Sequence, residues 1–471
     1  MARGRDRPYR GCRADRRLLV MRSTPSVLAR LDGRYRVVKA PGVDAPAAQQ
    51  DPAVAATVTR MLRDIEDRGM DAVLEYAKQL DHWEGGDVEL DAAAIASSGD
   101  RLPADLRAAI ELGADRTRAF AAEARSHLVD FSTEPVPGLV TGVKYVPVGR
   151  VGAYLPAGRF PLTASAFMTV GVAKTAGVPE VVACTPPQPG GGANDAVVYA
   201  AACSGVDRVF VLGGVQALAA MSFGLVGDGP IDMLVGAGNA FVAEAKRQLF
   251  GRVAIDLLAG PSEVAVIADE SADPEVVAAD LLGQAEHGPQ SPAALVTTSA
   301  ALADAVVAAV DRQLETLPTA WVAGPAWRDF GSVLVADDRE TAAALMDDLA
   351  PEHLEVITTD DDWYHRRLTN YGSLFLGPWS TVAYSDKGMA GTNHVLPTAG
   401  GAKHSAGLSV SRFLKPLTYQ RIERSATHEL ADAVQVISAS EGMAAHEATA
   451  TIRIAALDGV TPAAAASAGR A

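Results

Sequence analysis

Between residues 159 and 260 the chain alternates short apolar runs with longer segments whose apolar positions recur every three or four residues. The first kind reads as buried strand, the second as amphipathic helix. "TASAFMTVGVAKTA" (163–176) predicts a helix stopped by Gly177, "EVVACT" (180–185) a strand, 194–203 a helix, "RVFVLG" (208–213) a strand, and "VQALAAMSFG" a helix beginning near Gln216. A second block repeats the rhythm, with strands at 262–269, 293–299, 332–337 and 354–359 and helices at 273–287, 300–316 and 339–350. This alternation argues for an α/β fold, with parallel sheets covered by helices. Each block resembles half of a doubly wound fold.

The flanks read differently. Residues 48–80 and 89–127 have helical spacing, the first opened by the start signal Asp51-Pro52. Residues 140–158 are rich in Val, Tyr and Gly and predict strands and turns, while from about 410 the chain reads as helical, down to a frayed Ala-rich tail.

A chain of 471 residues suggests about three domains, or two large ones. Its net charge of −15 repels phosphate backbones and argues against nucleic acid as the main partner. The exception is the first 20 residues, with seven arginines and two aspartates. They read as a basic arm or, in the simpler reading adopted, as a disordered or untranslated stretch before a start at Met21. No apolar run reaches 18 residues, so no membrane span is expected. The three cysteines, Cys12, Cys184 and Cys203, form no CxxC and cannot all pair. A disulfide framework is not expected, and the cytoplasm fits. A metal here would need His, Asp, Glu or Gln.

Four stretches carry candidate chemistry. In "LLGQAEHGPQ" (281–290), Gln284 and His287 share a helix face one turn from its end. They are able to share a divalent cation; alternatively, His287 caps the last carbonyls. In "APEHLEVIT", Glu352 and His353 stand in a turn before a buried strand, either as an incidental surface pair or as an acid and base of different pKa. The loop 384–409 sets Asp386, Asn393, His394 and His404 among glycines, and a long polar loop in a compact domain is usually functional or disordered. In "ASEGMAAHEA" (439–448), Glu441 and His446 are five apart, so they converge only if Gly442 breaks the helix or another subunit completes the site. The remaining histidines, at 82, 127, 365 and 428, read as structural or surface groups. No G-x-G-x-x-G is present; the turn "LGGVQALAAM" (212–221) is a weak candidate for meeting a phosphate at a helix N-terminus.

Taken in order, "GRVGAYLPAG", "LGGVQALAA", "GAGNAFVAEAKRQ", "DLLAGPSEV", "DLLGQAEHG", "PEHLEV" and "GTNHVLPT" resemble the histidinol dehydrogenase family over about residues 48–455. The resemblance implies a homodimeric dehydrogenase using zinc and NAD, which oxidises a primary alcohol to a carboxylate through an aldehyde with two NAD in turn. It implies two incomplete Rossmann-like domains with parallel sheets, plus helical N- and C-terminal arms. The expected division is an N-terminal arm (1–47), a discontinuous metal-binding and catalytic domain (48–153 and 262–407), an inserted NAD-binding domain (154–261) and a helical dimerisation arm (408–471). Zinc ligands carry over onto Gln284, His287, Asp386 and His446, the last from the partner subunit. The catalytic pair falls on Glu352 and His353, substrate contacts on Ser262, His394 and Glu441, and cofactor contacts on Tyr154, Gln216 and Asn239. Ala157 stands where histidine-making members carry a second glycine, and "GRFPLTASAF" replaces a different segment. That version is more similar to the branch that oxidises sulfonated propanediol, and one extra residue separates Asp386 from "GTNH". Arg159, His127 or His404 are the candidates for meeting a substrate anion.

Overall fold

A computed structural model of the chain describes residues 31–459 except 32, 44–50 and 159. The Arg-rich start, Cys12, Met21, Arg159 and the Ala-rich tail lie outside the described residues. The chain divides into two units, Met1–Arg125 with Val148–Phe413 and Ser126–Pro147 with Leu414–Ala471. In chain order the described strands are β1 Tyr35–Lys39, β2 Phe131–Val136, β3 Leu139–Pro147, β4 Arg150–Tyr154, β5 Glu180–Thr185, β6 Arg208–Val211, β7 Met233–Val235, β8 Ala254–Ile255, β9 Val264–Ala268, β10 Ala293–Thr297, β11 Gly331–Ala336, β12 His353–Ile357, β13 Ser373–Leu376 and β14 Leu414–Ile422.

The larger unit holds two sheets. One is parallel throughout, in the order β6-β5-β4-β7-β8. Counted along the chain this is 3-2-1-4-5, a Rossmann sheet lacking its sixth strand. The other runs β1-β11-β10-β9-β12-β13; apart from β1, antiparallel beside β11, it repeats the same order. Crossover helices cover both faces of such sheets, so their strands read as unbroken apolar runs. β9, β10 and β11 are buried at every residue. β12 is equally buried but reads His-Leu-Glu-Val-Ile. Buried charge is costly unless paired, so the partners of that histidine and glutamate mark the chemistry.

Helices Pro52–Arg68 and Met70–Leu80 are split at Gly69, whose φ of 63° suits glycine. The sequence reading groups 48–153 with 262–407. In the structure these two helices belong instead to the five-stranded half. Val58, Met61, Leu62 and Ile65 form one helix face and share a core with Leu212, Leu218, Val242 and Leu249. Residues 131–147 go elsewhere again, into the smaller unit.

That unit is an antiparallel sheet, β14-β3-β2, with a hairpin of helices Thr427–Ser440 and Ala444–Leu457 turning at Gly442 (φ 71°). The expectation of helix throughout 408–471 fails at 414–422, which pairs along its length with β3. Every residue of β14 after Leu414 is exposed, so no alternation marks it, and Pro416 is tolerated because the strand is an edge.

Candidate active site

Helix Pro274–Ala285 starts on Asp273, whose side chain accepts the Glu275 N–H at 2.8 Å, with proline at the first position. As a crossover between the parallel strands β9 and β10, it returns its last turn to their amino ends. There Gln284 Nε2 donates to Ser262 Oγ (2.7 Å), and Ser262 donates to Glu352 Oε2 (2.7 Å), which also accepts the Glu263 N–H (2.9 Å). Open α/β sheets ordinarily take ligands at the carboxyl ends of their strands. Here that end of β9 and β12 is closed by the chain itself. Asp269 accepts from the N–H and hydroxyl of Thr359, and Asp361 from those of Thr358, all at 2.8 Å.

The tautomer of His353 follows from its partner. Nδ1 lies 3.0 Å from the Glu263 carbonyl, which only accepts, so Nδ1 carries the proton. Nε2 is left with a lone pair; it is buried without a hydrogen-bond partner and lies 3.9 Å from Asp386 Oδ1. Burial lowers the pKa of His353 to about 4, with the Asp386 charge opposing, so the ring is neutral near pH 7. Burial drives Glu352 the other way, well above the ordinary carboxylate range, against the hydrogen bonds from Ser262 and Glu263. Glu263 is raised to about 7 by burial, although its carboxylate accepts the N–H groups of Ala399 (3.0 Å) and Glu352 (3.3 Å). Burial also lowers His394. Burial would raise the Asp386 carboxyl, but the hydrogen bond from His287 and the nearby imidazoles of His394, His353 and His287 together hold it below its ordinary range.

His287 does not use its ring to cap the helix: Nε2 faces Asp386 Oδ2 at 3.2 Å. Gln284 spends its amide N–H on Ser262, which leaves Oε1 buried with no partner. Gln284 Oε1, His287 Nε2 and Asp386 offer an amide oxygen, an imidazole nitrogen and a carboxylate without thiolates, a donor set that fits zinc or a similar divalent ion. Among the described residues no three His, Cys, Asp or Glu side chains gather as a metal site. Of the four expected ligands, His287 and Asp386 are of those types and lie in the larger unit, as does Gln284. Glu441 and His446 belong to the smaller unit, where both are exposed at the turn of the helical hairpin.

The three cofactor candidates lie at the carboxyl end of the five-stranded sheet, Tyr154 closing β4, Gln216 after β6 and Asn239 after β7. The Tyr154 hydroxyl accepts the Gly214 N–H (3.2 Å), and burial raises its pKa to about 12. Asn239 caps helix Ala240–Leu249, accepting the N–H groups of Phe241 and Val242 at 3.0 and 3.1 Å. Gly236 (φ 114°) admits no side chain, since a Cβ there would lie 2.2 Å from the Tyr154 carbonyl. Asp81, not singled out by sequence, accepts both the Gly213 N–H (3.0 Å) and Gln216 Nε2 (2.7 Å). Its carboxyl group sits where the Gly-Gly turn was a candidate for a phosphate, so that anion position is filled from within the chain. Glu263 and Glu355 were missed too, though a glutamate inside an otherwise apolar strand run was the available signal.

Two incomplete Rossmann sheets with a buried carboxylate–imidazole pair at the amino end of one define a Rossmann-like α/β enzyme class. The family model described as Histidinol dehydrogenase matches residues 45–454. A histidinol dehydrogenase homolog of Ruegeria pomeroyi is 48% identical over 417 residues, covering 88% of this chain and 95% of the relative. A sulfopropanediol 3-dehydrogenase of the same organism is 46% identical (85% and 92% covered), and a histidinol dehydrogenase of Cereibacter sphaeroides is 41% identical (86% and 93%). The crystal structure of histidinol dehydrogenase from Elizabethkingia anophelis superposes with a TM-score of 0.82 at 32% identity, covering 88% of this chain and 94% of that one. The chain belongs to the histidinol dehydrogenase family, oxidoreductases acting on CH–OH groups.

Proposed function

We propose that this protein is a zinc-dependent, NAD-linked dehydrogenase that oxidises a primary alcohol through an aldehyde to a carboxylate, consuming two NAD. The observation that carries the reading is the unpartnered, buried Nε2 of His353, 3.9 Å from the Asp386 carboxylate that His287 Nε2 faces at 3.2 Å. Zinc is held by Gln284, His287 and Asp386, completed by His446 of the partner subunit. Residues 154–261 hold NAD through Tyr154, Gln216 and Asn239. When bound, zinc supplies a Lewis acid for the alcohol oxygen and NAD the hydride acceptor. His353 Nε2 takes the hydroxyl proton in the first oxidation. Glu352 deprotonates the water that adds to the aldehyde, and Ser262 and the Glu263 N–H stabilise its carboxylate when it is ionised. Ser262, His394 and Glu441 of the partner subunit orient the substrate. Exposed Leu417, Tyr419, Ile422, Val436 and Ile437 in the smaller unit support a homodimer. Cys184 and Cys203 are free thiols, which supports the cytoplasm; no described helix is long and apolar enough to cross a membrane.

The substrate of the leading reading is L-histidinol, which makes the reaction the closing oxidation of histidine biosynthesis. The second is 2,3-dihydroxypropane-1-sulfonate, favoured by the higher identity to the sulfopropanediol enzyme (46%) than to the Cereibacter histidinol dehydrogenase (41%). NADH formation by zinc-loaded protein with each alcohol separates them. Turnover of neither, together with failure to take up zinc, would instead make the chain a catalytically silent binding dimer of the same fold.

A further inference from the structure

One layer below the catalytic groups, the same three elements meet again. Helix Pro274–Ala285 carries Asp280 four residues before Gln284, on the same face. β12 carries Glu355 two residues after His353, again on the same face. Helix Val382–Asp386 opens with its cap Thr381 and closes with Asp386. At the lower level Thr381 Oγ1 donates to Asp280 Oδ1 (2.9 Å), and the Val382 N–H donates to Glu355 Oε1 (3.0 Å). The Asp280 and Glu355 carboxyl groups lie close enough for each to act on the other's protonation.

Glu355 is 0% exposed, and its Oε2 is buried with no donor facing it. Two ionised carboxylates in contact there would repel each other in a low-dielectric interior. A proton on Glu355 resolves both problems, because the carboxyl group then donates to Asp280 and the pair carries a single negative charge. Apolar contacts between a helix and a sheet are non-directional, whereas a fully satisfied polar network specifies one arrangement.

We propose that the Asp280–Glu355 pair is a positioning device: it locks helix, strand and loop helix to one another and so fixes where Gln284, His353 and Asp386 stand relative to one another. The inference rests on the metal and base roles proposed for those three residues. Asp280 and Glu355 are positioning residues that act through them.

The test combines Glu355→Leu, Glu355→Gln and Thr381→Val in the full-length protein. It reads zinc loss to a chelator, kcat, and KM for NAD, with thermal melting to report folding. Glu355→Leu is expected to speed zinc loss and lower kcat by about 10–100-fold, the usual effect of removing a group that orients metal ligands. KM for NAD stays within about 2-fold, since its candidate contacts lie on the other sheet. Glu355→Gln is expected to restore both to within about 3-fold of wild type, because a neutral amide accepts from Val382 and donates to Asp280 as the protonated acid does. Thr381→Val leaves both carboxyl groups in place and is expected to speed zinc loss about 3–10-fold, which keeps the test decisive if the leucine variant fails to fold. Folded Glu355→Leu or Thr381→Val protein with wild-type zinc retention and kcat overturns the inference, as does Glu355→Gln behaving like Glu355→Leu. Wild-type protein that takes up no zinc is a different failure: it removes the metal reading and this inference with it.

Discussion

Ser262→Ala isolates the hydrogen bond that links the metal-side amide to the catalytic carboxylate. Ser262 Oγ accepts from Gln284 Nε2 and donates to Glu352 Oε2, both at 2.7 Å. The donation stabilises the ionised form of Glu352, so removing it raises a pKa that burial already holds high. A hydrogen bond to a charged group contributes about 1.5–3 kcal/mol, which corresponds to about 1–2 pH units. Glu352 acts as a base when deprotonated, so the acid limb of the pH–rate profile moves to higher pH. The assay is kcat/KM for NADH formation from the aldehyde, the step assigned to Glu352, across pH in wild type and variant. An upward shift of about 1–2 units is expected. A limb that stays in place, or moves down, would show that Glu352 is not the base of that step or that Ser262 does not donate to it.

His353→Asn removes the proton acceptor of the first oxidation and is expected to lower alcohol turnover at least ~10²-fold with zinc content unchanged; coincident zinc loss would make His353 a metal ligand instead. Gln284→Ala deletes the unpartnered Oε1, so zinc leaves faster under chelation, and normal retention refutes the ligand assignment. Glu263 gives a stability test. Its pKa rises from 4.5 to about 7 in the folded chain, so the fold holds that proton more tightly than the unfolded chain does. The resulting stabilisation, about 3 kcal/mol, is complete below the unfolded pKa and is lost as pH rises through about 7. Between pH 5 and 8 the urea-unfolding free energy of wild type should therefore fall by about 2.5 kcal/mol relative to Glu263→Gln; a pH-independent difference contradicts the assignment.

Periodicity located most strands and helices of the two sheets because each carries its own apolar signal. Glu180–Thr185 was read as it stands, and Ala300–Thr316 likewise. It missed Ala320–Phe330, whose Pro325 interrupts a helical reading, and β14, whose exposed residues leave no pattern. The Glu-His pair and the Gln-x-x-His turn were visible as ambiguous pairs. The link from Gln284 through Ser262 to Glu352 was not, because it depends on a helix returning to the amino end of a sheet. Asp81 was invisible: it follows a helix end and acquires meaning only by meeting Gly213, 132 residues away. Asp280 was hidden for the same reason, its partner Glu355 lying on a different element.

A four-electron oxidation at a metal site has a fixed stoichiometry and a fixed metal requirement. The most direct measurement is the end point of NADH formation with limiting alcohol, excess NAD and zinc-loaded protein, using L-histidinol and 2,3-dihydroxypropane-1-sulfonate in turn. Two NADH per molecule of the accepted alcohol are expected, with formation abolished by chelation and restored by zinc. One NADH per alcohol with aldehyde accumulating, or turnover indifferent to removal of the metal, would contradict it.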